Sequence, residues 1–127
     1  MIVRSLEDLI GTDRDVQGPV WASRRFLLAS DGTGFTLTET RVNAGVEQTM
    51  WYKHHVEANY IVEGEGQVEN LETGEIFQLK PGTMYTLDKH EKHKLTARTN
   101  LKIVCVFTPA LTGQEKHDKD GAYSLPE

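Results

Sequence analysis

The chain has very little cysteine: Cys105 is the single one among 127 residues, so no intrachain disulfide is available to brace the fold. Long apolar runs are also missing, and no stretch approaches the roughly 20 residues that a membrane-spanning helix requires. Basic charge is not in excess. The chain carries 14 Lys and Arg against 19 Asp and Glu, a formal charge of -5, scattered without a basic stripe to neutralise a phosphate backbone. Nucleic acid is thereby a poor partner. The N-terminal stretch MIVRSLEDLIGTDRD places charges where a signal peptide needs an apolar run. Repeats, low-complexity tracts and linkers are absent. These absences predict one cytoplasmic domain spanning residues 1–127, with one modest core, one site and no membrane partner.

What the chain does have is short β-rich runs. From residue 24 onward RRFLLA, GFTLTETRV, ANYIV, GQVENL, EIFQL, MYTL, HKLTA and LKIVCVF are separated by Asp31-Gly32, Gly64, Thr73-Gly74 and Pro81-Gly82. That spacing predicts a compact all-β sandwich or barrel. Lys80-Pro81-Gly82-Thr83 suits a type II turn, since Pro sets φ at the second position and Gly takes positive φ at the third. A short capped helix is predicted near the start, with Ser5 and Asp8 as its capping box and Gly11 closing it. The segment after Pro109, ALTGQEKHDKDGAYSLPE, reads as a polar tail over 110–127.

Four of the five histidines fall in two clusters, His54 and His55, then His90 and His93. Taken singly, a His near a strand end is more often hydrogen-bonded surface than a ligand. Spacing alters that reading. Gly45, Trp51, Lys53, Glu57 and Gly64 match the spacing of the first cupin motif, with Trp51 and Lys53 at its two histidine positions. Gly82, Asp88, His90 and His93 match the second, with Asp88 and His90 replacing its Pro and inner Gly and the ligand histidine kept as His93. The chain thus resembles a cupin, a jelly-roll-like β-barrel, in which Glu57 and His93 remain of the usual ligand set. A third donor is sought by strand parity, because alternate residues of a strand share a face. His55 shares a face with Glu57 and would complete a 2-His-1-carboxylate triad suited to ferrous iron. Tyr85 is the rival, just after the Pro-Gly turn; a buried Tyr is usually core, but a cation favours phenolate.

A closer resemblance covers nearly the whole chain. GTDRDVQGPVWASRRFLLASDGTGF, YKHHVEANYIVEGEGQVENLETGE, PGTMYTLDKHEKH and VCVFTPALTGQEKHDKDGAYSL closely resemble ectoine synthases, and the tail is the most specific part. The resemblance implies iron held by Glu57, Tyr85 and His93, with zinc or manganese as substitutes, and so favours Tyr85 over His55. It implies a lyase, a cyclodehydratase that closes N-γ-acetyl-L-2,4-diaminobutyrate into the compatible solute ectoine, an osmoprotectant, and a homodimeric state. It also implies a substrate pocket lined by Trp21, Arg25, Thr40, Tyr52, His55, Leu87, Phe107, Glu115 and His117, with Tyr52, Glu115 and His117 as the catalytic candidates.

Each of these residues has a plainer reading. Arg25 could clamp a carboxylate bidentately or simply face solvent, and Trp21 and Phe107 could be core. Glu115 and His117, read alone, are solvated charges in a tail. Tyr52 lies at the wrong parity to share a face with Glu57, which predicts a bulge or bend between them. Cys105, inside LKIVCVF, reads as an inert core thiol. The tail is expected to close the barrel mouth. Two other readings use the same residues: a solute-binding cupin without an essential metal, and an oxidase using His55, Glu57 and His93.

Overall fold

A computed structural model of the chain describes residues 1–115. Helix α1 (Leu6–Leu9) is one capped turn. Ser5 Oγ accepts from the Asp8 N–H at 3.3 Å, the Asp8 carboxylate accepts from the Ser5 N–H at 2.8 Å, and Leu9 is the side chain the turn buries. Ten strands follow: β1 (Asp15–Gln17), β2 (Trp21–Leu27), β3 (Thr36–Val42), β4 (Glu47–Met50), β5 (Val56–Glu63), β6 (Gly66–Asn70), β7 (Ile76–Leu79), β8 (Met84–Thr86), β9 (His93–Ala97) and β10 (Leu101–Thr108). They form two antiparallel sheets. One has six strands in the order β1-β2-β3-β10-β5-β8, the other four in the order β4-β9-β6-β7.

The expected Pro-Gly turn is present: Gly82 has φ 90° and the Thr83 N–H donates to the Lys80 carbonyl at 3.1 Å, delivering the chain from β7 to β8. Two strands went unanticipated. Asp-Val-Gln and Glu-Gln-Thr-Met carry too few β-branched or aromatic side chains to signal a strand, and pairing with β2 and β9 makes them β1 and β4. The N-terminal segment is fastened by charge. Asp31 accepts from Arg4 at 2.8 Å and from Arg14 at 3.0 Å, tying α1 and its flanks to the loop after β2.

The space between the sheets divides into two zones. At one end Val42, Ile61, Val68, Leu79, Leu95, Ala97, Leu101 and Ile103 form an apolar core, of which Val42, Leu95 and Ile103 also wall the cavity described below. Burial of each large aliphatic there contributes about 2 kcal/mol. At the other end the inward positions of the six-stranded sheet are polar, among them Arg25, Thr36, Thr38, Glu57 and Asn59, all buried. Buried polar groups cost free energy unless partnered. Their concentration at one end marks that end as a site.

Candidate active site

Strand register aligns these polar residues. Arg25 pairs with Thr38 between β2 and β3, Thr38 with Cys105 between β3 and β10, Cys105 with Asn59 between β10 and β5, and Asn59 with Tyr85 between β5 and β8. One row of inward side chains therefore crosses five strands. Above it lies a cavity with about 680 Å³ of atom-free space, its open mouth included, walled by this row and by Trp21, Thr40, Tyr52, Glu57 and Phe107. Arg25 is 8% exposed; its Nε donates to Ser23 Oγ and its Nη1 to the Gly113 carbonyl, both at 3.3 Å. No carboxylate pairs with it among the described residues. A buried guanidinium facing a cavity without a counter-charge is a receptor for an anion.

At the opposite end of the row stand the oxygen donors. Burial pushes the Glu57 carboxyl up to about 7, with the Asn59 amide offsetting part of the shift. Burial, and then the nearby Glu57 carboxylate, raises the Tyr85 phenol well above its ordinary range. The Cys105 thiol is pushed up to about 12, by burial first and Glu57 second, so it stays protonated and inert in the cavity wall. His93 is 1% exposed. Its Nδ1 lies 3.0 Å from the Glu91 carbonyl, an acceptor, so Nδ1 carries the proton and Nε2 presents a lone pair; that Nε2 is buried and has no hydrogen-bond partner. Burial lowers the His93 pKa, against the upward pull of Glu91, which keeps the ring neutral.

These donors suit a divalent cation chemically. A buried carboxyl that resists ionisation, a phenol that does the same and an imidazole with a bare buried nitrogen each gain from a positive charge. Tyr85 lines both the main cavity, with Glu57, and a smaller one that His93 and Leu87 border. Among the described residues no three His, Cys, Asp or Glu side chains are gathered as a metal-holding group, His55, Glu57 and His93 included. His55 is instead packed edge-on to Phe107, ring centroids 6.3 Å apart.

The parity conflict at Tyr52 is resolved by the connection between β4 and β5. Residues 51–55 leave strand geometry, so Tyr52 and Glu57 both reach the interior. The Tyr52 ring packs edge-to-face on Phe107 at 5.4 Å and tilted on His93 at 6.0 Å, and its hydroxyl donates to Met50 Sδ at 3.2 Å. His90 fastens this connection: its Nδ1 is 2.9 Å from the Tyr52 carbonyl and 3.1 Å from the His55 carbonyl. Its backbone lies at φ 56°, a left-handed conformation that costs a non-glycine residue on the order of 1 kcal/mol.

Beyond β10 the chain crosses back over β2 and β3. The Leu111 N–H donates to Thr36 Oγ1 at 2.8 Å and the Ala29 N–H to the Leu111 carbonyl at 2.7 Å, so Ala110 and Leu111 are buried where a polar tail was expected. Glu115 closes on its own turn, accepting from the Thr112 N–H at 2.7 Å, the Thr112 hydroxyl at 2.9 Å and the Gly113 N–H at 2.9 Å. Burial alone would raise its carboxyl, but these donors outweigh it and hold the group below its ordinary range, ionised. Burial lowers the His55 imidazole below its ordinary value, and the Glu115 charge offsets part of that shift. His117 lies outside the described residues.

Of the expected pocket residues, Trp21, Arg25, Thr40, Tyr52 and Phe107 line the main cavity, together with Glu57 and Tyr85. His55, Leu87 and Glu115 do not line it; Leu87 lines the smaller cavity, as does His93. Ser23, Thr38, Gln48 and Asn59 line it and were not anticipated. Their signal was parity: Ser23 alternates with Arg25, Thr38 with Thr40, and Asn59 with Glu57.

The fold is that of a cupin, as its likeness to an RmlC-like cupin from Shewanella frigidimarina indicates: TM-score 0.62 at 21% identity, covering 76% of this chain and 82% of that one. A sequence profile described as ectoine synthase matches residues 1–127. L-ectoine synthase of Oceanobacillus iheyensis is 55% identical over 125 residues, 98% of each chain. The crystal structure of ectoine synthase from P. lautus superposes with a TM-score of 0.89 at 49% identity, covering 100% of this chain and 92% of that one. The chain belongs to the ectoine synthase family.

Proposed function

We propose that this chain closes N-γ-acetyl-L-2,4-diaminobutyrate into ectoine with loss of water, and that it does so with a divalent cation, ferrous iron, held by Glu57, Tyr85 and His93. The observation that carries the reading is the cross-strand row, with an unpaired buried guanidinium at one end and cation-seeking donors at the other. The substrate has the matching polarity. Its α-carboxylate is anionic and its acetamide lies at the far end of a methylene chain.

In the reaction the α-amino nitrogen bonds to the acetamide carbonyl carbon. That nitrogen gives up two protons, and the former carbonyl oxygen departs with both as water. Arg25 takes the carboxylate in a two-pronged clamp, while Trp21 and Phe107 pack on the methylenes and hold the chain folded with the amine against the carbonyl. Such preorganisation replaces most of the entropy cost of closure. A bound cation supplies Lewis acidity toward the acyl oxygen. Glu115 and His117 are the proton carriers in this reading; Glu115, whose carboxylate closes on its own turn, would have to turn into the cavity to take a proton from the attacking nitrogen. Tyr52, whose hydroxyl rests on a weak sulfur acceptor, donates toward the departing oxygen. Shutting of the mouth by the chain from residue 110 onward keeps bulk water from reversing the dehydration.

Localisation in the cytoplasm and assembly as a homodimer are part of the same reading. Among the described residues no helix is long and apolar enough to cross a membrane. Incubation with the acetylated diamino acid, with and without ferrous iron, followed by product identification tests the proposal. Ectoine formed in the iron-loaded sample is expected, and saturable binding without product would show a solute binder instead.

A further inference from the structure

We propose that His90 is a positioning residue, whose imidazole clamps the β4–β5 connection so that Tyr52 forms the wall of the pocket. The inference rests on the functional reading above for its activity measurement alone. His90 is the one non-glycine residue with positive φ among the described residues, at the position where the second cupin motif has its inner glycine. Glycine would adopt that conformation without strain. What the position gains from histidine is the ring, and the ring is committed. Both groups facing Nδ1 are carbonyls, which accept, so Nδ1 bears hydrogen and bridges Tyr52 and His55 at 2.9 and 3.1 Å.

The clamp is anchored on the metal-donor strand. The Glu57 carbonyl accepts from the Leu87 N–H and from Thr86 Oγ1, each at 2.9 Å, and the His90 N–H turns back toward the Leu87 carbonyl at 3.4 Å. A continuous path thus runs from β5 through residues 86–90 to the carbonyls of Tyr52 and His55. The connection it holds belongs to neither sheet, whereas the Tyr52 ring must stay packed on Phe107 and His93 to shape the cavity. Release of the two carbonyls would let 51–55 rotate and carry Tyr52 off Phe107. The pairing of β3 with β10 would be untouched.

The test is amide hydrogen exchange on the ligand-free chain, coupled to kinetics, for His90→Gly and His90→Asn. Glycine keeps the backbone conformation and deletes the ring; asparagine tolerates left-handed φ and restores a side-chain donor. In His90→Gly, amides of residues 51–56 are expected to exchange about tenfold faster, with those of β3 and β10 unchanged. A drop in kcat/KM of about ten- to a hundredfold should accompany this, the cost of a misplaced wall, and His90→Asn should recover part of both effects. Unchanged exchange at 51–56, faster exchange throughout the molecule, or full kcat/KM in His90→Gly would each overturn the proposal. If the unaltered chain makes no ectoine while the local exchange difference persists, the functional reading fails and the clamp stands.

Discussion

Arg25 and Tyr85 occupy the two ends of one cross-strand row that runs through Thr38, Cys105 and Asn59. Neighbouring strands lie about 4.8 Å apart, so the two backbones are separated by roughly 19 Å along the sheet, and their long side chains point into the same cavity and close part of that gap. A substrate with an anion at one end and a polarisable carbonyl at the other fits along this row.

Replacement of Arg25 tests the anionic end. Arg25→Gln should raise KM for the acetylated diamino acid and lower kcat/KM by about tenfold or more, the loss of a charge-assisted pair worth about 1.5–3 kcal/mol. Arg25→Lys should recover little, because one ammonium cannot reproduce a forked clamp. Steady-state kinetics with unaltered KM in both variants would remove Arg25 from the binding site.

Gly113 tests the strap that follows β10. It sits at φ 94°, and a Cβ there would lie 3.2 Å from Leu28 Cδ1. Gly113→Ala is expected to cost about 1–2 kcal/mol of stability for the left-handed backbone, and to raise KM because the Gly113 carbonyl holds Arg25 Nη1. Thermal unfolding and KM read the two effects separately; no change in either would mean that the strap adapts freely.

Much of this was legible in the sequence, and the physical reasons are local. Ser5, Asp8, Pro81 and Gly82 act through neighbours a few residues away, so the helix cap and the type II turn could be read directly. Glu57 and His93 were singled out as proposed cation donors by motif spacing and Tyr85 by family resemblance. Asn59, Thr38 and Ser23 required knowledge of which strands adjoin, because they belong to the site through cross-strand register that no single strand records. Tyr52 looked misaligned for the same reason. Residues 51–55 leave strand geometry where their carbonyls meet His90, 38 residues from Tyr52.

Acid stability should depend on Asp31. Hydrogen bonds from Arg4, then Arg14, then the Leu28 N–H hold its carboxyl well below the usual value of 3.8. A depressed folded-state pKa means that this contribution is complete above about pH 4 and is lost as pH falls through the folded-state value. Asp31→Asn should therefore be less stable than the unaltered chain at neutral pH and should lose less of its stability on acidification. Denaturant midpoints measured between pH 2 and 7 check this; parallel curves for the two proteins would contradict it.

Asn59→Leu separates the site from the fold. Its buried Nδ2 lies near enough to Glu57 to offset part of that carboxyl's upward shift but makes no well-formed hydrogen bond among the described residues, so an apolar side chain of similar size should leave stability within about 1 kcal/mol or raise it. Metal retention should weaken, since groups around a ligand orient it. Unfolding and metal titration together decide; strong destabilisation with metal affinity intact would make Asn59 a structural residue.

The cation is the centre of the account, and the most direct measurement is ectoine formation against bound iron in protein purified without oxygen. Turnover is predicted to rise in proportion to iron and to level off near one ion per chain, with both iron and turnover lost in His93→Ala and Glu57→Ala. Full turnover in a demetallated sample would contradict it.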